Sequence, residues 1–285
     1  MTRTEFRFFD RLRVRWAEVD MQKIVFNGHY LMYFDTAVAA YWRAMALPYH
    51  ETMEGLGGDL YVRKAVVEYL GSARYDEVCD VGLRCNRIGT SSVQFIAALF
   101  RGETLLVHGE LVYVWADPAT QTSRPVPTML RDVLLGFERG EPMVDVSVVP
   151  WTAARDEARA LRHEVFRVEQ RLDAPLEEDA ADAAAVHVIA RNRCGLVVGT
   201  GRLVDAGACV GRVGRMAVHA AVRSSGVGRA LVARLIAEAR ALGHRELVLD
   251  AALMAAPLYR RAGFVDEGPP FEELGLTHQA MRLAT

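Results

Sequence analysis

Two short stretches of this chain set residues capable of chemistry at the start of a helix. The first, Arg223-Ser224-Ser225-Gly226-Val227-Gly228-Arg229-Ala230, lies between an apolar run ending at Val218 and a helical run carrying Leu231, Leu235 and Ile236. A helix N-terminus leaves backbone N–H groups unpaired and carries a partial positive charge. Glycine there lets a ligand approach without meeting a Cβ, and the combination suits a pyrophosphate. A plain strand-to-helix turn would use the same glycines, but the arginine three residues ahead of Gly226 and the strand–turn–helix order favour the phosphate site. The second stretch runs from Val14 to Tyr30 and ends an extended segment on Asp20, ahead of Asn27-Gly28-His29-Tyr30 and a long apolar helix. Asn27 is a candidate N-cap. A carboxylate beside the free N–H groups of such a helix could attack a thioester carbonyl or activate water, with the N–H groups stabilising the oxyanion. From residue types alone, the better account is that Asp20 closes a turn and Asn27-Gly28 is a turn before the helix.

The surrounding pattern must position these groups. Phe6 to Val19 reads as extended, and His29 to about Leu47 as a helix with Leu31, Phe34, Val38, Tyr41, Trp42 and Met45 at helical spacing, stopped by Pro48. Strand-like runs follow at about 60–70, 77–87, 91–101 and 104–116, broken by Gly-Ser, Ile-Gly-Thr and Arg-Gly-Glu. A strand, one long helix and then a meander is the order of a curled antiparallel sheet wrapped around a central helix. A short helix from Pro125-Val126-Pro127 to about Phe137 precedes the polar run Glu138 to Pro142. The second half reads as strand 143–149, helix 152–168, a polar loop, and strands near 185–191, 195–204 and 209–218. Helix 226–242, strand 245–250, helix 254–262 and two terminal strands complete it. The expected fold class is α+β, with a first domain over 1–138, a linker over 139–145 and a mixed α/β domain over 146–285.

The 285 residues are 51% hydrophobic and 25% charged, with a formal charge of −2. That balance is globular and gives no reason to expect nucleic acid or an anionic membrane as partner. No apolar run reaches the ~20 residues of a membrane span, and the N-terminus lacks a secretory core. Cys79, Cys85, Cys194 and Cys209 are scattered, which argues against a disulfide framework or a zinc site. A cytoplasmic protein without a bound metal is expected.

Arg-x-x-Gly-x-Gly-Arg-Ala after a strand resembles the acetyl-CoA motif of the GNAT superfamily, and Leu258-Tyr259-Arg260-Arg261-Ala262-Gly263-Phe264 resembles its second signature. Leu161-Arg162-His163-Glu164-Val165-Phe166, Glu169-Gln170, Asp179, Asp182, His187 and Glu272-Glu273-Leu274-Gly275-Leu276-Thr277-His278 are similar to the ElaA-like branch. The resemblance implies that the coenzyme A pyrophosphate sits on the N–H groups of Ser225 to Ala230, with Arg223 and Ser224 in the same turn. It places the pantetheine arm on the backbone of Met216 and Val218, and makes Tyr259 the acid that protonates the departing thiolate. A phenol with an ordinary pKa of ~10 stays protonated for that task. Ala252 stands where the family usually has Gln or Asn. Glu164, Glu169, His187, Glu273 and His278 remain open as the base, and the acceptor implied is an amine. The Asp20 stretch is similar to YbgC-like and 4-hydroxybenzoyl-CoA thioesterases of the hot-dog fold, which implies Asp20 as the catalytic carboxylate and Asn27 to Tyr30 as the oxyanion and substrate segment. Glu18 and Asp35 are the alternative carboxylates, and Lys23 stands where the family commonly has glycine. This resemblance also implies a homodimer or tetramer. The expected function is acyl-CoA hydrolysis in one domain and acetyl transfer from acetyl-CoA in the other. The rival is that one domain only binds coenzyme A or an acyl chain.

Overall fold

The computed structural model describes residues 1–285, which separate into two compact units, Met1–Met143 and Val144–Thr285. The first contains β1 (Phe8–Arg13), α1 (Asn27–Ala44), α2 (Tyr49–Leu56), β2 (Asp59–Tyr69), β3 (Val78–Ile88), β4 (Ser92–Arg101), β5 (Thr104–Ala116) and α3 (Thr128–Arg139). Its strands form one antiparallel sheet in the order β1-β3-β4-β5-β2. Helix α1 buries Phe34, Ala37, Tyr41 and Trp42 against that sheet, the hot-dog arrangement expected of the meander. Removing one such large apolar side chain from water contributes ~1.5–3 kcal/mol. Gly109 shows how close the approach is. A Cβ there would lie 2.5 Å from the Val66 carbonyl and 2.9 Å from the Phe34 ring, so β5 can cross the helix only without a side chain at that point.

Not all of this unit's apolar surface is buried. β2 is an edge strand, with Val62 57% and Tyr69 51% exposed, and the outer face of α1 leaves Leu31 and Met32 open. Helix α2 was not expected, because Pro48 reads as a stop. It occupies the N-cap of α2 instead, where its fixed φ and missing N–H do no harm. Helix α1 begins at Asn27, so Phe26 and not Asn27 holds the N-cap position.

The second unit contains β6 (Val144–Val149), α4 (Trp151–Arg162), β7 (Val186–Asn192), β8 (Val197–Asp205), β9 (Val210–Val218), α5 (Val227–Ala241), β10 (Glu246–Ala252), α6 (Ala256–Arg261), β11 (Val265–Asp266), β12 (Phe271–Glu273) and β13 (Leu276–Ala284). The helix expected over 152–168 is α4 followed by a wider π-type segment, His163–Glu169. Such segments are uncommon and often mark functional regions. The sheet order is β11-β13-β10-β9-β8-β7-β6, with β12 on β13, and β9–β10 is a parallel pair in an otherwise antiparallel sheet. That parallel pairing is short, joining only Val210–Arg212 to Glu246–Val248. Beyond it the two strands part. A register shift between Thr200 and Arg202 on β8 faces Arg215 on β9, whose φ of 52° marks the extra residue of a β-bulge. Bulges bend a strand and sharpen its twist, which turns the end of β9 away from β10. No helix in the chain is long and apolar enough to cross a membrane.

Candidate functional site

In the first unit, a tight reversal carries the carboxylate back to the helix start. Val19 bridges Val25, the Asp20 N–H donates to the Ile24 carbonyl (2.9 Å), and the Phe26 N–H donates to the Glu18 carbonyl (2.9 Å). Asp20 therefore lies alongside the residues entering α1. Its Oδ1 accepts the Gln22 N–H at 2.8 Å, and its Oδ2 has no protein partner. The turn forces Lys23 to a φ of 63°, the left-handed region that favours glycine. At the helix start, the N–H groups of Asn27 and Gly28 are unpaired, whereas that of His29 donates to the Phe26 carbonyl. Both residues are solvent-exposed.

The neighbouring candidates have other work. The Tyr30 hydroxyl accepts the Ala73 N–H (3.0 Å) and is buried, so it anchors the loop at 71–74. Glu18 is 3% exposed and accepts hydrogen bonds from the Arg15 backbone and guanidinium and from the Tyr33 hydroxyl (2.7 Å). Burial opposes its charge, but these bonds and Arg15 outweigh that and hold its pKa below the usual carboxylate range. With both oxygens occupied, Glu18 braces the loop. Asp35 is exposed on the outer face of α1, where the Tyr113 hydroxyl donates to it at a long 3.4 Å. Asp20 is the carboxylate of the three with an unengaged oxygen next to free helix N–H groups. Sequence reading missed the Arg15–Glu18–Tyr33 brace: Arg15 and Glu18 have the i,i+3 spacing of a helical turn, but the Tyr33 contact joins residues 15 apart, which no local period announces.

In the second unit, the gap between β9 and β10 leads to the glycine turn. The His219 N–H donates to the Val198 carbonyl across to β8, so by strand alternation the backbone of Val218 and Met216 faces the side β10 has left. The turn itself requires Gly226, whose φ of 100° is closed to other residues. The N–H groups of Gly226, Val227, Gly228 and Arg229 have no partner, while those of Ser225 and Ala230 are paired with the carbonyls of Val222 and Gly226. The N–H groups open to a phosphate are thus the inner part of the expected run. The Arg229 guanidinium folds back over Gly226, within 3.5 Å of where a Cβ would stand. Arg223 is committed elsewhere. Its fork grips Glu169 (2.5 and 2.6 Å), and its Nε donates to the Val218 carbonyl (3.1 Å).

Tyr259 is 6% exposed, stacked edge-on against Phe264, and its hydroxyl has no protein partner. Burial raises its pKa, which keeps the phenol protonated. Among the candidate bases, His187 is 1% exposed, stacked on Trp151 (4.4 Å), and has both ring nitrogens engaged. Nε2 meets the Asp182 carbonyl (2.8 Å), so it carries the proton, and Nδ1 accepts from Arg162 (3.4 Å). Burial holds its pKa down, so it is a neutral structural residue. It belongs to a buried network in which Arg162 and Arg202 meet Asp182, and Arg202 and Arg215 meet Asp179. Glu169 is held by Arg223, Glu164 faces His219 at 3.5 Å, Glu273 is exposed, and His278 is half-buried.

Comparison with known proteins follows this division. A family profile described as "Thioesterase-like superfamily" matches residues 14–134, and one described as "Acetyltransferase (GNAT) domain" matches residues 151–285. The chain is 34% identical over 125 residues to UPF0039 protein C11D3.02c of Schizosaccharomyces pombe, covering 43% of this chain and 83% of that one. It is 30% identical over 94 residues to a putative esterase of Aquifex aeolicus, covering 33% and 73%. It is 26% identical over 131 residues to the acyl-CoA thioester hydrolase YbgC of Escherichia coli, covering 45% and 93%. The chain belongs to both families, one in each unit. In the thioesterase-like domain the resemblance takes in the Asp20 reversal and α1. In the GNAT domain it takes in the splayed strands, the glycine turn and the Tyr259 helix. Arg215 was not singled out from sequence, because a bulge has no signature in residue types.

Proposed function

We propose that this is a bifunctional acyl-CoA enzyme that hydrolyses acyl-CoA thioesters in its first domain and transfers acetyl groups from acetyl-CoA to an amine in its second. The observation that carries this reading is the pairing, in each domain, of unpartnered helix N–H groups with a side chain suited to thioester chemistry. In the first domain, Asn27 and Gly28 supply the N–H groups and Asp20 the carboxylate, acting as nucleophile or as base toward water. In the second, Gly226 to Arg229 receive the pyrophosphate, the open edge at Met216 and Val218 receives the pantetheine as an added strand, and Tyr259 protonates the thiolate. The exposed β2 edge and the apolar outer face of α1 support self-association through the first domain, as a homodimer or tetramer.

A second reading keeps one domain as a binding or oligomerisation module. Lys23 in its left-handed turn and the methyl group of Ala252 at the end of β10 are the features that favour it. Thiol release from short, long and aromatic acyl-CoAs, with and without amines, separates the two. Wild type, Asp20→Asn and Tyr259→Phe are compared. Amine-independent release that disappears in Asp20→Asn, together with amine-dependent release that falls in Tyr259→Phe, is the expected result. Thermal stabilisation by acyl-CoA without thiol release from a domain would assign that domain to binding alone.

A further inference from the structure

We propose that His278 is the general base of the acetyl transfer, an assignment that rests on the acyltransferase reading of the second domain. Its Nδ1 lies 2.9 Å from the Leu276 carbonyl. A carbonyl oxygen can only accept, so Nδ1 carries the proton and Nε2 presents a lone pair. No protein group meets Nε2. The cross-strand neighbour on β10 is Ala252, whose methyl offers no hydrogen bond, and the neighbour on β12 is Phe271, stacked on the imidazole at 6.0 Å. His278 thus has the fixed tautomer and free nitrogen of a base, which the buried His187 lacks.

Its place in the sheet agrees. Ala252 is the last residue of β10, directly before the turn that feeds α6 and Tyr259. Two residues back on the same face of β13, Leu276 packs into the cluster of Leu161, Val165, Phe166 and Ala217, the last of these on the free end of β9. His278 therefore stands at the mouth of the β9–β10 gap, on the face covered by α4 and the π-type segment. The charged groups sharing that face are Asp250 on β10, held by Arg212 of β9 at 2.7 Å, Glu246 at the far end of β10, Glu273 on β12 and Arg282 on β13. Glu164 and Glu169 lie on the π-type segment, against His219 and Arg223. None of them is hydrogen-bonded to His278.

Nε2 takes one proton from the substrate ammonium, and the free amine attacks the thioester carbon. The N–C bond forms and the C–S bond breaks. The thiolate takes the Tyr259 proton, and the phenolate recovers it from the amide-forming nitrogen. One proton is released through His278.

The test uses the full chain with acetyl-CoA and a panel of phenethylamine, spermidine and a lysine-containing peptide. Wild type, His278→Gln and His278→Ala are compared. His278→Gln is expected to lower kcat by ~10²–10³ and to leave acetyl-CoA affinity by calorimetry within about two-fold. Free imidazole should restore part of the activity of His278→Ala, which a purely structural role would not allow. Transfer by His278→Gln at the wild-type rate overturns the assignment and leaves the acyltransferase reading intact. Wild type that binds acetyl-CoA and acetylates none of the amines overturns both.

Discussion

Gly226→Ala tests the phosphate turn most directly, because its two effects have different sizes. Gly226 has φ of 100° and ψ of −3°, and an L residue forced to positive φ costs ~1–2 kcal/mol. Replacing glycine also stiffens the unfolded chain, which offsets ~0.4–1 kcal/mol of that loss. The expected net destabilisation is about 1 kcal/mol, a fall in Tm of ~2–8 °C. Ligand binding should suffer more. If the turn relaxes toward an allowed φ, the N–H groups of Gly226 to Arg229 no longer converge. A hydrogen bond to a charged group is worth ~1.5–3 kcal/mol, so misaligning one of them weakens acetyl-CoA by roughly ten- to hundred-fold. Gly228→Ala is the control. Its backbone is helical, alanine favours a helix by ~1 kcal/mol over glycine, and the new Cβ would meet only the Leu258 side chain at 3.2 Å and Val218 at 3.8 Å. It should fold at least as well as wild type and lose less affinity than Gly226→Ala. Calorimetric titration with acetyl-CoA and thermal unfolding of each variant supply the numbers. Gly226→Ala that unfolds earlier yet binds acetyl-CoA within two-fold of wild type would show that the turn holds no pyrophosphate.

Lys23→Gly should stabilise the first domain by up to ~1 kcal/mol by relieving the left-handed backbone of the Asp20 turn, and urea unfolding that shows it weaker than Lys23→Ala would refute the strain. His187 makes the second domain sensitive to acid. Its folded pKa is lowered by burial, so its contribution is whole above the unfolded imidazole value of ~6.5 and is lost as pH falls below it. The slope is at most ~1.4 kcal/mol per pH unit. His187→Gln should be less stable at pH 8 and show a flatter decline toward pH 5 in urea denaturation; equal slopes would remove His187 from the acid response.

What was legible in the sequence was local. The Gly226-Val227-Gly228 turn, the Asp20 reversal, the Tyr259 helix and the alternation of strand and helix all depend on backbone angles or periodicity within a few residues, which residue types announce directly. Pro48 misled for the same reason, since a proline that ends one helix also begins the next. Tertiary structure decided what those groups face. The gap between β9 and β10 depends on a bulge at Arg215 and on a parallel pairing that stops after Val248. Arg223, in the turn that the resemblance gives to the pyrophosphate, pairs with Glu169, 54 positions earlier. The same packing closed His187 inside an arginine–aspartate network and set His278 across from Ala252 with one nitrogen free. Contacts between residues far apart in the chain are fixed by packing and strand register, and a residue's type does not say which of its possible partners the fold will bring to it.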